Sequence, residues 1–146
     1  MLALIQALAV LTATFFAGAA VYINLVEHPA RMGCSTEIAA TVWAPSYQRA
    51  TYMQASLAVV SFLSGTAAWI LGSGFPWLVA ALFIFAVVPV TLIVIFPTNN
   101  RLLDPKRDLR SEETRLLLVK WGRLHAIRSA LAVIASIVFV AQLVGD

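Results

Sequence analysis

Residues 50–100 read ATYMQASLAVVSFLSGTAAWILGSGFPWLVAALFIFAVVPVTLIVIFPTNN, with no charged side chain between Arg49 and Arg101. At about 1.5 Å per residue this run would make roughly 75 Å of helix, against roughly 30 Å for the hydrocarbon core of a bilayer. It is too long for one span. The break falls at Gly72-Ser73-Gly74-Phe75-Pro76, where two glycines and a proline mark a turn. The stretch therefore predicts a helical hairpin, with spans over residues 51–71 and 76–96. Pro89 lies inside the second of these and predicts a kink, because it removes a backbone donor and crowds the preceding turn.

On the N-terminal side, residues 1–26 are also uncharged and would make about 39 Å of helix. No basic residue precedes them and the apolar run exceeds that of a signal peptide, so they read as a span. That span is expected to stop or bend at Glu27-His28-Pro29, since Pro29 disfavours helical geometry at His28. Residues 27–50 then form a first connection. It should hold a short interfacial helix near residues 35–42, opened by Ser35-Thr36-Glu37, with Trp43 and Tyr47 as border aromatics. On the C-terminal side, residues 101–110 are a charged connection. Ser111 suits an N-cap, with Glu112 and Glu113 in the first turn of a long last helix whose span covers residues 116–144. Gly122 is a weak point there but a tolerable one.

All ten Lys and Arg residues fall in two stretches, residues 27–50 and 97–128, as do both histidines and every acid except Asp146. Positive charge next to spans marks the cytoplasmic side. Loops 27–50 and 97–125 are therefore expected to be cytoplasmic, with both termini and the glycine hairpin outside. The expected fold is all-α: a single integral membrane domain over residues 1–146, multi-pass in the cell membrane. It is a four-transmembrane-helix bundle, both termini outside, with a long fourth helix extending to the cytoplasmic side.

Composition agrees. Hydrophobic residues make up 61% and charged residues 12%, with a mean hydropathy of +0.89. A soluble domain carries roughly 25% charged residues, so lipid is the solvent for most of this surface. The net charge of +3 reflects basic residues flanking spans and alternating with acids, which argues against nucleic acid as a partner. Cys34 is the single cysteine, so neither an internal disulfide nor a dithiol redox couple is available. Ala13, Ala17, Gly18 and Gly65 permit close helix packing, equally within one bundle and between copies.

The candidate chemistry gathers at the charged end. Asn24, Glu27 and His28 are spaced i, i+3 and i+4 on the first helix. Trp121, His125 and Arg128 are spaced i, i+4 and i+7 on the fourth. Each triplet should share a helix face, and first and fourth helices are commonly neighbours in a bundle. Asn99 joins them from the third helix, and Tyr47 and Gln54 from the second. Ionisable groups at a hydrocarbon boundary are costly unless paired or wet. A neutral imidazole can act as a base, arginine or asparagine can hold an oxyanion, and tryptophan offers a flat face to an aromatic ligand. A structural alternative is a Glu27–Arg128 ion pair locking the first helix to the fourth. A metal alternative is a His28, His125 and Glu27 set for iron or copper, or a haem held by the two histidines. The spacings give no metal-binding motif.

These residues carry a resemblance. Pro89-Val-Thr-Leu-Ile-Val-Ile-Phe-Pro97-Thr98-Asn99-Asn100-Arg101-Leu102 resembles the P-x-T-x5-P-T-N-x-x-L pattern of the anthrone oxygenase-like family of small four-helix integral membrane proteins. Trp121-Gly-Arg-Leu-His125-Ala-Ile-Arg128 is similar to its W-x3-H-x2-R motif, and Tyr22-Ile-Asn24-Leu-Val-Glu27-His28-Pro29-Ala30-Arg31 to its first-helix ending. The resemblance covers essentially the whole chain. It implies an oxygenase that converts anthrones to anthraquinones with O2, and it implies no particular cofactor. The enolate of an anthrone is electron-rich enough to reduce O2 directly, so none is expected, with iron or copper as the alternative. His125 would be the base, with His28 second to it. Arg128 and Asn99 would hold the enolate oxygen, while Trp121 and Tyr47 sandwich the rings. Asn24, Glu27 and Gln54 complete the substrate-binding set. The expected partners are thus a hydrophobic small-molecule substrate and the lipid bilayer. Competing readings are a non-enzymatic module binding a quinone or assisting assembly, and a metal-dependent membrane oxidoreductase. A transporter is disfavoured because no charge lies in mid-membrane.

Overall fold

The computed structural model describes residues 1–145, and Asp146 lies outside them. Four long helices account for nearly all of the chain: α1 Leu2–Met32, α2 Thr36–Ser73, α3 Phe75–Leu102 and α4 Glu112–Gly145. All four are long and apolar enough to cross a membrane. They run alternately up and down. α1 packs on α2 and α4, and α3 packs on the same two helices, so α1 and α3 stand on the diagonal of a four-helix bundle.

The hairpin turn sits where the glycines place it. Gly72 and Gly74 have φ of 97° and 96°, a left-handed conformation that a side chain disfavours. Phe75 and Pro76 then open α3, with Pro76 in its first turn, where a missing N–H is harmless. In α3 the backbone after Pro89 widens to i→i+5 turns over Val90–Ile95 before resuming at Phe96–Leu102. Pro89 and Pro97 bracket this segment and supply no donors to the carbonyls behind them.

The charged end differs from the sequence reading. α1 does not stop at His28. It passes through a wide turn at Ile23–Glu27 and continues over His28–Met32, with the His28 N–H bonded to the Ile23 carbonyl. Pro29 has no N–H to return to Leu25, and the wide turn is how the helix absorbs that loss. α2 likewise starts at Thr36 and runs unbroken through Pro45. The expected interfacial helix is thus its opening turns, capped by Ser35, whose Oγ accepts the Ile38 N–H at 3.4 Å. Only residues 33–35 remain as a connection.

α4 begins as expected. Ser111 Oγ accepts the Thr114 N–H at 3.2 Å, and Glu112 and Glu113 stand in the first turn. The connection before it is pinned by Arg110, whose Nε and Nη2 donate to both Glu37 carboxylate oxygens at 2.8 and 3.1 Å. That carboxylate holds the Arg110 guanidinium above its ordinary pKa.

The half of the bundle near the hairpin is packed through small residues. Ala9, Ala13, Ala17 and Ala20 of α1 are buried against Ala58, Ala68, Ala80, Ala81, Ala132 and Ala135. Such residues let helix backbones approach closely where no hydrophobic effect draws them together. Gly65 makes the tightest approach: a Cβ there would lie 2.6 Å from the ring of Phe139. Large side chains such as Leu4, Phe15, Ile70, Ile93 and Ile137 point outward, an apolar surface suited to lipid and not to water.

Candidate functional site

The wide turn of α1 decides which residues face where. A strictly α-helical α1 would keep Asn24, Glu27 and His28 on one face. The extra residue in the turn splits them. Asn24 and His28 meet α4, whereas Glu27 turns toward α2, where its carboxylate accepts from the Arg31 guanidinium and the Ser46 hydroxyl. The Glu27–Arg128 ion pair of the structural alternative does not form, since Glu27 pairs with Arg31. Arg128 of α4 instead donates through Nη2 to Gln54 Oε1 at 2.9 Å, and its guanidinium lies 5.5 Å from the centre of the Phe16 ring.

Asn24 is the hinge of the site. Its Nδ2 donates to the Gly122 carbonyl at 2.9 Å. A carbonyl only accepts, so the amide orientation is fixed and Oδ1 points the other way. Oδ1 accepts from Ser129 Oγ at 2.6 Å and meets His125 Nδ1 at 2.7 Å. His125 must therefore donate from Nδ1, and in the neutral ring Nε2 is the proton-free nitrogen. Gly122 is required for this arrangement. A Cβ there would sit 2.6 Å from His28 Nε2 and Cδ2, so only glycine lets α1 come close enough for Asn24 to reach the α4 backbone.

His125, 2% exposed, lines a small cavity. Its other walls include Glu27 and Arg31 of α1, Tyr47 and Gln54 of α2, and Trp121 and Arg128 of α4. Asn24 is not among them. The free volume is about 10 Å³, room for roughly one water. Two guanidiniums and one carboxylate surround it, a net positive setting that suits a developing anion and repels a metal cation.

His28 opens elsewhere. It lines a wide groove of about 560 Å³ with Asn24, Met32, Arg115, Gly122 and Arg123. Both imidazoles pack on Trp121, with ring centres 5.1 Å away for His28 and 4.8 Å for His125. His28 therefore addresses a different space from His125 and Glu27, which share the small cavity. Among the described residues no three His, Cys, Asp or Glu side chains gather as metal ligands. Asn99 is fully buried, its amide without a hydrogen-bond partner among the described residues, and it lines neither space. Tyr47 stacks on Trp43, ring centres 5.0 Å apart and planes within 5°, and does not face Trp121 across an open slot. Trp43 in turn meets Trp121 edge-on at 5.7 Å.

Arg31 and Ser46 belong to the site without having been singled out from sequence. Arg31 is 6% exposed, with its guanidinium 6.0 Å from the Trp121 ring centre. The i, i+4 spacing of Glu27 and Arg31 carried that signal, but reading the segment as a loop removed the helical face that gives the spacing meaning.

Buried imidazole, guanidinium and indole groups gather at one end of an apolar bundle of four helices, each long and apolar enough to cross a membrane, which defines the class as a multi-pass membrane protein. The comparisons make the class specific: residues 43–138 match the family model for anthrone oxygenase. The chain is 30% identical to anthrone oxygenase tpcL of Aspergillus fumigatus over 97% of its own length and 94% of the relative's. It is 30% identical to anthrone oxygenase AgnL2 of Paecilomyces divaricatus over 90% of each chain. A shorter segment, 37% of this chain, is 42% identical to anthrone oxygenase nsrD of Aspergillus novofumigatus. No solved structure matches. The chain belongs to the anthrone oxygenase family. Tyr47, Gln54, Trp121, His125 and Arg128 lie inside the matched segment, and Asn24, Glu27, His28 and Arg31 precede it.

Proposed function

We propose that the chain is a membrane-embedded oxygenase that converts an anthrone-type aromatic ketone, or its phenol tautomer, to the quinone with O2 and no cofactor. The two charged connections face the cytoplasm, the termini and hairpin face outward, and the reaction centre lies just inside the cytoplasmic border of the cell membrane. The observation that carries this reading is the buried His125 imidazole, its tautomer set by Asn24, beside the buried Arg128 on one small cavity. The family relationship supports it.

The chemistry suits those groups. The CH2 between the rings of an anthrone is acidic, because its carbanion is an aromatic enolate. His125 Nε2 takes one proton from it. Arg128 and Gln54 hold the enolate oxygen, in place of the Arg128 and Asn99 pair suggested by sequence. The enolate passes one electron to O2, and the resulting pair combines to form a C–O bond. The second C–H proton then leaves as the O–O bond breaks. One oxygen atom remains as the new ketone and the other departs as water, carrying both hydrogens of the CH2 group. Glu27, Arg31 and Ser46 stand on the opposite wall, where a proton can reach the departing oxygen.

The test is oxygen uptake by the purified, reconstituted protein with an anthrone. His125→Ala is expected to lower kcat by about 10²–10⁴-fold, the usual worth of a general base. Unchanged turnover would remove His125 as the base. A wild-type protein that consumes no oxygen would leave a quinone-binding module as the better reading.

A further inference from the structure

The space beside His125 holds about one water, so a three-ring molecule cannot occupy it as it stands. A second space adjoins it. This is a cleft of about 170 Å³ between α2 and α3, floored by Phe16 and walled by Ala55, Ala58, Val87 and Leu92. The two spaces share Thr51, Gln54 and Arg128. Ala55 and Leu92 are exposed on the outer surface, so the cleft opens toward the lipid.

Its polar groups divide in an informative way. Thr51 and Thr91 return their hydroxyl protons to their own helices, to the Tyr47 carbonyl at 2.8 Å and the Val87 carbonyl at 2.7 Å. Gln54 and Arg128 do not close on themselves. They are 1% and 8% exposed, yet Gln54 Nε2 and Arg128 Nε have no acceptor among the described residues. Two buried donors without acceptors, at the inner end of an apolar cleft, ask for an acceptor oxygen carried on an apolar body. The Arg128–Gln54 hydrogen bond is itself the partition between cleft and cavity.

We propose that this cleft is the ring-binding subsite and lateral entrance for the substrate, and that the Arg128–Gln54 pair is its gate. This rests on the function proposed above and names where that substrate lies. A flat polycycle arrives from the bilayer between α2 and α3. Its rings stay among the alanine and valine side chains. Its ketone or enol oxygen takes the two vacant donors, and the gate swings so that the reacting carbon reaches His125. The reaction partners divide accordingly: the apolar substrate enters from lipid, and the polar cavity keeps the proton carriers.

The experiment uses the full chain in lipid vesicles with 2-azidoanthraquinone as photoprobe, and peptides are mapped after illumination. Label is expected on residues 51–58 and 87–92. Ala55→Phe should block the mouth from its exposed position. It should sharply lower labelling and raise KM for anthrone about tenfold with kcat near wild type, the pattern of lost binding without lost chemistry. Val88→Trp should act alike from the opposite wall. Ala86→Phe, which faces a separate outer groove on α3, should change neither. Label concentrated on the groove beside Arg123, or an Ala55→Phe protein that labels and turns over as wild type, overturns the entrance. Cleft labelling in a protein without oxygen uptake would keep the entrance and remove the oxygenase. Turnover with no cleft label would do the reverse.

Discussion

The two halves of the bundle treat buried polar atoms differently. Near the hairpin, most are met by backbone carbonyls: Thr12 bonds Leu8 at 2.7 Å, Ser136 bonds Ala132 at 2.8 Å, and Ser61 reaches across to Ala9 of α1 at 3.0 Å, while Thr66 Oγ1 and Trp77 Nε1 have no partner among the described residues. At the charged end, more polar atoms stay open. Arg31 Nε, Trp43 Nε1, Gln54 Nε2, Trp121 Nε1, Arg128 Nε and both amide atoms of Asn99 are buried without partners among the described residues. An unmet buried donor costs about 1–3 kcal/mol. One half is therefore packed for stability. The other keeps unmet polarity that a ligand, a water or a reaction intermediate can satisfy. In a bilayer the contrast is sharper, because no lipid tail can meet those donors.

That difference can be broken from either side. The largest effect is expected at Arg128. Arg128→Gln should lower kcat by about 10²–10³-fold in oxygen uptake, the loss that follows removal of one oxyanion donor. Detergent-solubilised protein should still elute as a folded species, because Gln54 keeps a polar neighbour. The next effect compares two glycines. Gly65→Ala drives a methyl to 2.6 Å from Phe139, in the well-packed half. About 1–3 kcal/mol of stability should be lost, as for other overpacked cores, with kcat unchanged in the fraction that folds. Gly122→Ala meets the His28 ring at the same distance. His28 borders an open groove, so α1 can draw back slightly on that side and stability should change little. The shift separates Asn24 from the Gly122 carbonyl, however, and activity should fall. Loss of stability in both variants, measured by thermal melting, would erase the distinction between the halves.

Sequence reached these two halves unequally. The hairpin half follows from local rules: an uncharged run of known length, and glycines whose positive φ marks the turn. Both are properties of a few adjacent residues. The membership of the charged end was also legible, since cost at a hydrocarbon boundary flags each ionisable group separately. Its geometry was not. Helix-face arithmetic assumes a constant turn, and Pro29 replaces one turn of α1 with a wider one, which moves Glu27 from α4 to α2 and brings Arg31 into the cavity. Pro29 reads in the sequence as a stop or a bend, and the connection starts there. In a long apolar helix it is accommodated, because the helix can rebond one residue further along. The pairing of Tyr47 with Trp43 has the same origin: these residues are i, i+4 partners only if α2 already runs through Pro45.

The finer test of the charged end is Asn24, which positions His125 without touching the reacting atoms. Asn24→Leu removes the acceptor that holds the proton on Nδ1. The ring can then adopt either tautomer, and about a tenfold drop in kcat is expected, smaller than loss of the base itself. The bonds to Gly122 and Ser129 are lost as well, but of the groups assigned to the reaction only His125 loses a partner, so the acid limb of the pH–rate profile should move while KM for anthrone stays near wild type. Asn24→Asp restores an acceptor for both His125 and Ser129 and gives up only the bond to Gly122, so it should recover most of the rate. A purely structural Asn24 would predict the opposite: Asp, with a charge buried between two helices, would melt earlier and work no better than Leu. At the far end of the scale stands Arg110→Ala. It breaks a bidentate but exposed pair with Glu37, and exposed pairs contribute little once solvent screens them. Neither melting temperature nor turnover should move, which would confine the functional polarity of this end to its buried side chains.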